Sequence, residues 1–475
     1  MFCRFIPTGC AVMVPPTGGP RDSIPPVFLG ATPPDSSLNF NAKTFTLTFN
    51  KFISPDNIFN ELIISPIPKH PITVSGRLRT VTIKIKDTLD PNTTYSYDFR
   101  NGIKDITEGN ILKNFIYVFS TGDHLDNQTV SGRVILAQTD KVDSTMLVVL
   151  YSDLSDTAVY KTQPRYYTKM DTSGNFTFHF LPKKKFNLFA VANSYMKNYG
   201  DSTEQFAFLD STIDTHNDSL YQHLQLYAFQ AFPKKEKSKA PVHLTQKQLE
   251  KKKADEAKKP LTVSADITNG KQSLLKWLYF TYSKPLQSFD STKILLTDTN
   301  FIPKKYTVLH DSTDTTNTRF YVKTDWQQDS MYRLIIPKEA AKDSFDVELS
   351  KADTLSFQTK TDDDYASIEF DFPDVDTTLN PVLQIFSNNK MQDSVKINAS
   401  RKVIIPKYDP GKYTLRILYD TNGDMQWTPG DYKKRKQPEI AVAIKKEFEF
   451  IAGTINQWDI YLKAQEEKKY APLHF

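Results

Sequence analysis

Three segments near the start of the chain alternate apolar and polar residues with a period of two. They are residues 43–49 (Lys-Thr-Phe-Thr-Leu-Thr-Phe), 80–86 and 94–99. A period of two predicts β-strands that bury one face against a core. Short alternating strands that are separated by turn residues, such as Asn101-Gly102, favour a β-sandwich.

A second pattern begins at residue 129. It runs through Thr-Val-Ser-Gly-Arg-Val at 129–134, an apolar stretch at 146–151, a long segment at 167–178 and another strand at 186–191. The progression Ser-Gly-x-Val, Asp-x-x-Gly-x-Phe-x-Phe and Leu-Pro resembles transthyretin-like, carboxypeptidase-regulatory-like sandwiches. The resemblance implies a small seven-stranded module that has no catalytic role.

The order of these patterns repeats in the second half of the chain. Four later segments parallel four earlier ones: 277–286 with 45–53, 332–336 with 95–99, 355–359 with 118–121, and 413–420 with 186–193. Amphipathic strands resemble one another by chance, but four matches in the same order favour duplication of a two-domain unit.

The sequence therefore predicts an all-β fold of tandem β-sandwiches, Ig-like and transthyretin-like, in a duplicated two-domain unit. The expected segments are a truncated signal peptide (1–9), a lipidated Pro/Gly tether (10–23), an Ig-like domain (24–123), a transthyretin-like sandwich (124–232), a basic linker (233–260), a second Ig-like sandwich (261–362), a second transthyretin-like sandwich (363–463) and a tail (464–475).

Composition narrows the class of protein. The 475 residues have a formal net charge of only +5, and no apolar run is long enough for a membrane-spanning helix. Residues 234–259 carry a net charge of +6, so the remainder is close to neutral at −1. This distribution argues against a nucleic-acid surface.

The basic segment contains the best helix former of the chain. Thr245-Gln-Lys-Gln248 is a candidate capping box for a helix over 249–258. That helix would have almost no apolar face, which favours a solvated spacer over an anionic-lipid patch.

Both cysteines, Cys3 and Cys10, lie at the N-terminus, so the body of the chain has no disulfide, cysteine metal site or catalytic thiol. Thr8-Gly-Cys10 matches the end of a bacterial lipobox, although Pro7 stands where an aliphatic residue is usual. The apolar stretch before it is too short for a complete signal peptide, which indicates a true start upstream. The alternative is an incidental cysteine near the terminus.

A distinctive run follows Cys10: Pro-Thr-Gly-Gly-Pro-Arg-Asp at 16–22, then Ile-Pro-Pro at 24–26. This arrangement resembles the Bacteroidota outer-membrane lipoproteins that carry an SbsA-type Ig-like domain. The resemblance implies lipidation of Cys10 and a location in the cell envelope. In such proteins, acidic residues after the cysteine direct export to the surface. Residues 11–14 (Ala-Val-Met-Val) therefore favour the periplasmic side.

The best candidate for a metal site is the segment 420–431. Asp420, Asn422 and Asp424 occupy positions 1, 3 and 5 of an EF-hand-like calcium loop, with the Gln426 carbonyl at 7 and Asp431 at 12. Met425 stands where this loop needs glycine, and Asp431 is shorter than the usual bidentate glutamate. The alternative is an Asx-rich hairpin turn. Calcium is the only cofactor that the sequence indicates.

No other chemistry stands out. The eight histidines form no short-spaced metal pair, and no phosphate-binding or nucleophile-elbow motif occurs. A pair of glycosidase carboxylates could be hidden among the many aspartates, but solvated loops account for them more simply. The sequence therefore predicts a chain without enzymatic activity.

Asp followed by Ser or Thr and a small or aliphatic residue recurs along the chain, which resembles the O-glycosylation sequon of exported Bacteroidota proteins. The candidate acceptors are Ser23, Thr88, Thr157, Ser219, Thr354, Thr377 and Ser394.

Three functions remain in order of preference. The first is a structural scaffold or protein-interaction lipoprotein at the outer membrane, with an envelope protein or glycan as its partner. The second is a carbohydrate-binding or adhesive lipoprotein, which should present an exposed aromatic platform on one sandwich. The third is an envelope hydrolase, which would need convergent acid and base residues.

Overall fold

Among the residues that the structure describes, regular secondary structure is almost entirely β-strand. The computed structural model describes residues 21–55, 58–192, 199, 203–231, 259–267 and 269–462. The helices in these ranges are α1 (Ile58–Glu61), α2 (Ala158–Lys161) and the 3₁₀ turns Thr215–Tyr221, Ser291–Lys293, Lys338–Ala340, Asp362–Asp364, Thr377–Leu379 and Tyr432–Lys434. No helix of the described ranges has the length and apolarity needed to cross a bilayer. The all-β prediction is confirmed.

The chain divides into two compact units. The first comprises Met1–Lys234 with Thr428–Pro438, and the second comprises Lys235–Trp427 with Glu439–Phe475. Each unit contains two sandwiches with separate hydrophobic cores. The predicted signal segment, most of the tether, the basic linker with its helix and the tail lie outside the described residues.

The first sandwich covers residues 28–120. Its strands are β1 (Phe28–Thr32), β2 (Thr44–Phe49), β3 (Ile53–Ser54), β4 (Ile63–Ser65), β5 (Thr73–Arg77), β6 (Thr80–Lys84), β7 (Thr94–Asp98), β8 (Lys104–Asp105) and β9 (Ile116–Ser120). They form sheets of order β1-β2-β6-β5 and β4-β7-β9 and a short β3-β8 ladder. The alternation in β2 buries Phe45, Leu47 and Phe49 completely, and Phe45 stacks on Tyr117 with a centroid distance of 4.3 Å.

The second sandwich covers residues 128–228. Its strands are β10 (Gln128–Leu136), β11 (Leu147–Tyr151), β12 (Tyr166–Lys169), β13 (Asn175–Leu181), β14 (Lys185–Val191), β15 (Phe206–Phe208), β16 (Ile213–Asp214) and β17 (Leu224–Ala228). The two sheets have the orders β13-β10-β17 and β12-β11-β14-β15, and β16 pairs with β14. Strand β17 runs parallel to β10.

The third sandwich covers residues 263–359. Its strands are β18 (Val263–Ala265), β19 (Lys271–Gln272), β20 (Leu278–Tyr282), β21 (Leu286–Phe289), β22 (Leu295–Thr297), β23 (Thr307–His310), β24 (Arg319–Lys323), β25 (Met331–Ile336), β26 (Ala341–Asp343) and β27 (Asp353–Thr359). The sheet orders are β18-β20-β24-β23 and β19-β27-β25-β22, with a β21-β26 ladder. Apart from the added β19, this is the strand order of the first sandwich.

The fourth sandwich repeats the second. Its strands are β28 (Ala366–Asp371), β29 (Pro381–Ser387), β30 (Lys390–Lys396), β31 (Lys402–Tyr408), β32 (Gly411–Tyr419), β33 (Ile440–Phe450) and β34 (Ile455–Asp459). The sheet orders are β31-β28-β34 and β30-β29-β32-β33, and β34 runs parallel to β28 as β17 does to β10. The four sequence parallels therefore join strands that hold equivalent places in the two pairs of sandwiches.

One segment departs from the predicted boundaries. The sequence places residues 428–438 within the fourth sandwich, whereas the structure groups them with the first unit. The physical reason is Tyr432, which is buried with its ring centroid 5.0 Å from Phe208 and 5.4 Å from Phe206. Packing of a large aromatic side chain outweighs continuity along the chain.

The Ig-like copies share a buried lysine–aspartate pair. Asp105 of β8 is 3% exposed and Asp343 of β26 is fully buried. Lys51 Nζ lies 3.8 Å from Asp105 Oδ2, and Lys284 Nζ lies 2.8 Å from Asp343 Oδ2. Each carboxylate also accepts two backbone amides. In the first sandwich the donors are Glu108 and Gly109, and in the third sandwich they are Phe345 and Val347.

These contacts determine the ionisation of Asp343. Burial alone raises the pKa of a carboxyl, but Lys284 and the amides of Val347 and Phe345 outweigh it and hold the pKa of Asp343 below its ordinary value. The charged form is therefore the form that the folded state favours.

We expect Lys284→Met to destabilise the second unit by roughly 3 kcal/mol or more, because it leaves a buried carboxylate without its cation. All four tryptophans (Trp277, Trp326, Trp427 and Trp458) belong to this unit, so urea unfolding of the whole chain followed by tryptophan fluorescence reports on it. Lys338→Ala, which breaks an exposed pair with Glu348, is the control and should cost less than about 1 kcal/mol. Equal costs for the two variants would contradict the assigned role of Lys284.

The same pair predicts a pH dependence. Because folding lowers the pKa of Asp343, its contribution is present above the unfolded-state pKa of about 3.9 and is lost as the pH falls through the folded-state pKa. Urea midpoints between neutral and acidic pH should fall less steeply for Asp343→Asn than for the wild type. Parallel curves would show that this carboxyl does not contribute to the acid response.

Candidate functional site

Three aromatic side chains lie together on the outer face of the third sandwich. Tyr279 of β20 is the register partner of Tyr321 of β24, and their ring centroids are 5.4 Å apart. Trp277, just before β20, lies 6.2 Å from Tyr321 and is 39% exposed. Because neighbouring residues of a strand face opposite sides, the intervening Leu278 and Phe280 enter the core. We call Trp277, Tyr279 and Tyr321 the aromatic strip.

Two cations lie over these rings. The guanidinium carbon of Arg319 is 4.3 Å from the Tyr279 centroid, and Lys323 Nζ is 5.0 Å from the Trp277 centroid. Cation–π attraction of this kind contributes about 0.5–1 kcal/mol at exposed sites. It helps to fix the ring orientations on a surface where no core packs against them.

The fold itself does not require aromatic residues at these positions. In the first sandwich, β2 pairs with β6 as β20 pairs with β24, and the equivalent outer positions hold Thr44, Thr46 and Thr82. A threonine-covered face is sufficient for the same strand order. The aromatic strip therefore distinguishes the third sandwich from the first.

A groove of about 740 Å³ adjoins the strip and includes Trp277 and Tyr279 in its wall. It lies within the second unit, and its lining comes from both the third and the fourth sandwich. Its charged residues are four cations (Lys271, Lys276, Arg319 and Lys360) and four carboxylates (Asp266, Asp363, Asp364 and Asp409). We call this the charged groove, and its formal charges balance.

Most of these charges are paired with one another. Lys271 lies 2.9 Å from Asp364, and Arg319 lies 3.0 Å from Asp266. Asp409 contacts two lysines, Lys276 at 2.5 Å and Lys360 at 3.1 Å. The pairs hold the side chains in place and leave the groove polar without a strong net potential.

The pKa directions agree with this pairing. The hydrogen bond from Lys271 is the main reason why the pKa of Asp364 lies below its ordinary value. Partial burial alone would raise the pKa of Asp409, but Lys276 and Lys360 lower it. The groove therefore offers ionised acceptors and charged donors side by side.

The predicted calcium loop is held by hydrogen bonds. Asp420, which is buried, accepts the amides of Gly423 at 2.7 Å and Met425 at 2.8 Å. Asp424 Oδ1 accepts the Gln426 amide at 2.7 Å, and Asn422 Oδ1 accepts the Asp424 amide at 3.0 Å. Amides directed at side-chain oxygens are typical of Asx turns.

Asp431, the remaining predicted ligand, has a local partner. It precedes the turn Tyr432–Lys434, accepts the Lys434 amide at 3.3 Å and lies 3.1 Å from Lys434 Nζ. In the part of the chain that the structure describes, no three His, Cys, Asp or Glu side chains are placed to hold a metal ion. Calcium binding stays a prediction.

The predicted glycosylation acceptors are dispersed over the surface. Ser23, Thr88, Thr157, Ser219 and Thr354 are exposed, whereas Thr377 and Ser394 are half-buried. The structure also gives part of this Asp-Ser/Thr pattern a local role. In one of the predicted motifs, Asp376 accepts both the amide and the hydroxyl of Thr378, the residue after the candidate acceptor Thr377. Cys10 lies outside the described residues.

The strip and the groove were not among the predicted sites. The sequence did contain a sign of the strip: at 277–282 the outward-facing positions include Trp277 and Tyr279, where the equivalent segment 44–49 has threonine. The groove gave no local signal, because its walls come from segments between residues 266 and 452 that only folding brings together.

Comparison with known protein families supports the Ig-like fold of the first sandwich. Residues 22–121 match the family described as bacterial Ig-like domain. The matching segment is roughly a fifth of the 475 residues, so the finding concerns the Ig-like domain and not the whole chain. The match does not extend to the resemblance to Bacteroidota lipoproteins.

Solved structures with a remote likeness include three bacterial proteins. The major pilin subunit BcpA of Bacillus cereus is 10% identical, with 71% of this chain and 99% of that chain covered and a TM-score of 0.17. The Bacillus anthracis TIE protein is 12% identical, with coverage of 94% and 76% and a TM-score of 0.15. The N-terminal part of the bacterial S-layer protein SbsC is 17% identical, with coverage of 37% and 43% and a TM-score of 0.16.

At these TM-scores the likenesses carry no argument about this chain. Among curated proteins, none matches it. What bears on function is therefore the Ig-like match of residues 22–121 together with the geometry of the chain itself.

We expect Asp420→Ala to destabilise the second unit by about 1–3 kcal/mol, because two amides lose a buried acceptor. The urea midpoint, read from tryptophan fluorescence, should fall in EGTA, where no calcium can contribute; an equal fall in CaCl₂ would show that the loop is held by these hydrogen bonds alone. A wild-type midpoint that rises with CaCl₂, and does not rise in Asp424→Ala, would instead establish the calcium site.

Proposed function

We propose that this chain is a non-catalytic lipoprotein of the cell envelope that serves as a structural scaffold or protein-interaction module at the outer membrane. The observation that carries the proposal is the architecture. Four separately cored sandwiches occur as a repeated pair, and the first is a bacterial Ig-like domain. Tandem modules of this kind offer several separate surfaces to partners.

The manner in which the N-terminal segment joins the first sandwich supports anchoring. Arg21 Nε lies 2.9 Å from Glu108, and Asp22 accepts Lys51 Nζ at 2.6 Å. The Asp22 carbonyl also accepts the Asn110 side chain at 2.8 Å. The chain is thus fastened to the sandwich eleven residues after Cys10, so a lipid on Cys10 would hold the protein at a defined point.

Contacts between the sandwiches of each unit fit a scaffold role. In the first unit, Arg165 of the second sandwich lies 2.5 Å from Asp90 of the first, and the Arg165 carbonyl accepts the Ile67 amide at 3.0 Å. In the second unit, the Tyr365 hydroxyl accepts the Leu274 amide at 2.6 Å. Such contacts stabilise one orientation of the two sandwiches within a unit.

We expect that Cys10→Ser, expressed with a complete upstream signal sequence, moves the protein from the membrane fraction to the soluble fraction. One acyl chain binds membranes only marginally, so loss of a multiply acylated cysteine should abolish retention. Fractionation of cells followed by immunoblotting is the measurement.

Cys3→Ser is the matched control, because it removes the other cysteine of the same segment and should leave the protein in the membrane fraction. Membrane retention of Cys10→Ser would contradict the anchor. In that case a scaffold role would require a different attachment to the membrane.

A further inference from the structure

We propose that the aromatic strip and the charged groove form a binding site for a neutral glycan. The ligand would stack an apolar sugar face on Trp277, with Lys323, whose Nζ lies 5.0 Å from the ring centroid, moving aside, and would place its hydroxyl groups in the groove. The site does not depend on the lipid anchor or on the scaffold role, so it can be tested separately.

The first argument is the exposure of Trp277. The other tryptophans have structural partners: Trp326 Nε1 donates to the Lys276 carbonyl, Trp427 Nε1 donates to the Glu439 carbonyl, and Trp458 stacks on Phe370. Within the described part of the chain, Trp277 Nε1 has no such hydrogen bond, and its ring lies on the outer face of a sheet. An exposed aromatic group next to a polar cleft is a typical feature of a binding site.

The second argument is the charge balance of the groove. Four cations face four carboxylates, and the lysines and the arginine are already paired. An anionic or cationic ligand would have to compete with these pairs. Hydroxyl groups both donate and accept, so a neutral polyol can bond to the paired groups without separating them.

The third argument is an acceptor that remains available. Asp363 is exposed in the groove and forms no ion pair with any residue that the structure describes. Its neighbour Asp364 is engaged with Lys271. Because Trp277 and Asp363 line the same groove, the Asp363 carboxylate can accept a sugar hydroxyl while the Trp277 ring contacts an apolar sugar face.

The duplication supplies an internal comparison. The equivalent face of the first sandwich carries Thr44, Thr46 and Thr82 in place of the strip. Folding of this domain type does not require aromatic residues at these positions, and a binding role accounts for their presence in the third sandwich. We therefore assign the site to the second unit only.

The test is affinity electrophoresis of the whole chain in native gels that contain one soluble polysaccharide each. The neutral probes are mixed-linkage β-glucan, xyloglucan, galactomannan and amylopectin, and polygalacturonate is the anionic probe. We expect retardation by at least one neutral probe, with affinity at least about tenfold weaker in Trp277→Ala, since a stacked aromatic contact is lost. Asp363→Asn should weaken the same interaction.

Phe301→Ala is the matched control. Phe301 is 61% exposed in the same sandwich and also lies under a cation, Arg333 at 4.6 Å, but it does not line the groove. It should bind as the wild type does, and urea midpoints of all variants should confirm folding. The proposal is overturned if no neutral probe retards the protein, if only polygalacturonate does, or if Trp277→Ala binds as well as Phe301→Ala.

Discussion

A buried carboxylate that a lysine neutralises is the constraint on which both Ig-like sandwiches depend. Asp105 and Asp343 sit at the ends of short two-stranded ladders, where each accepts two turn amides. Without the lysine, each charge would lie in a low-dielectric interior at a cost of several kcal/mol. The pair therefore determines the turn after the ladder and the position of the strand before it.

The same lysine fastens the entering chain in each copy. Lys51 Nζ donates to the Ile24 carbonyl and to Asp22 and lies 3.8 Å from Asp105 as an ion pair. Lys284 Nζ donates to the Lys259 carbonyl at 2.6 Å and to Asp343 at 2.8 Å. One side chain thus joins the segment that enters the domain to the buried carboxylate inside it. In a tandem array this is where tension on the preceding segment would reach the sandwich, which agrees with a scaffold that is held at its N-terminus.

Duplication gave the two copies different surfaces on one framework. The inward positions of β2 and β20 keep large apolar residues, because the core is close-packed and tolerates little change in volume. The outward positions are less constrained, and Thr44, Thr46 and Thr82 of one copy correspond to Trp277, Tyr279 and Tyr321 of the other. A chain that repeats its fold can in this way confine a binding surface to one module.

The sequence predicted those features that depend on residues close together along the chain. Alternation at 43–49 and at 80–86 predicted strands that the structure has at Thr44–Phe49 and Thr80–Lys84, because side-chain direction in a strand follows a period of two. Turns around Asp420 and Asp376 are also local, although their carboxylates resemble metal ligands or glycosylation motifs in sequence. The groove and the burial of Tyr432 depend on contacts between distant segments, which no local pattern records.

Hydrogen exchange of the whole chain, read by mass spectrometry, tests the central constraint most directly. The amides of Glu108, Gly109, Phe345 and Val347 lie in turns, yet each donates to a buried carboxylate. Because exchange then requires opening of the ladder, peptides over 106–110 and 344–348 should exchange as slowly as those over the core strands β7 and β25. Exchange as fast as in the exposed loop 152–157 would show that the lysine–aspartate pairs do not hold these domains together.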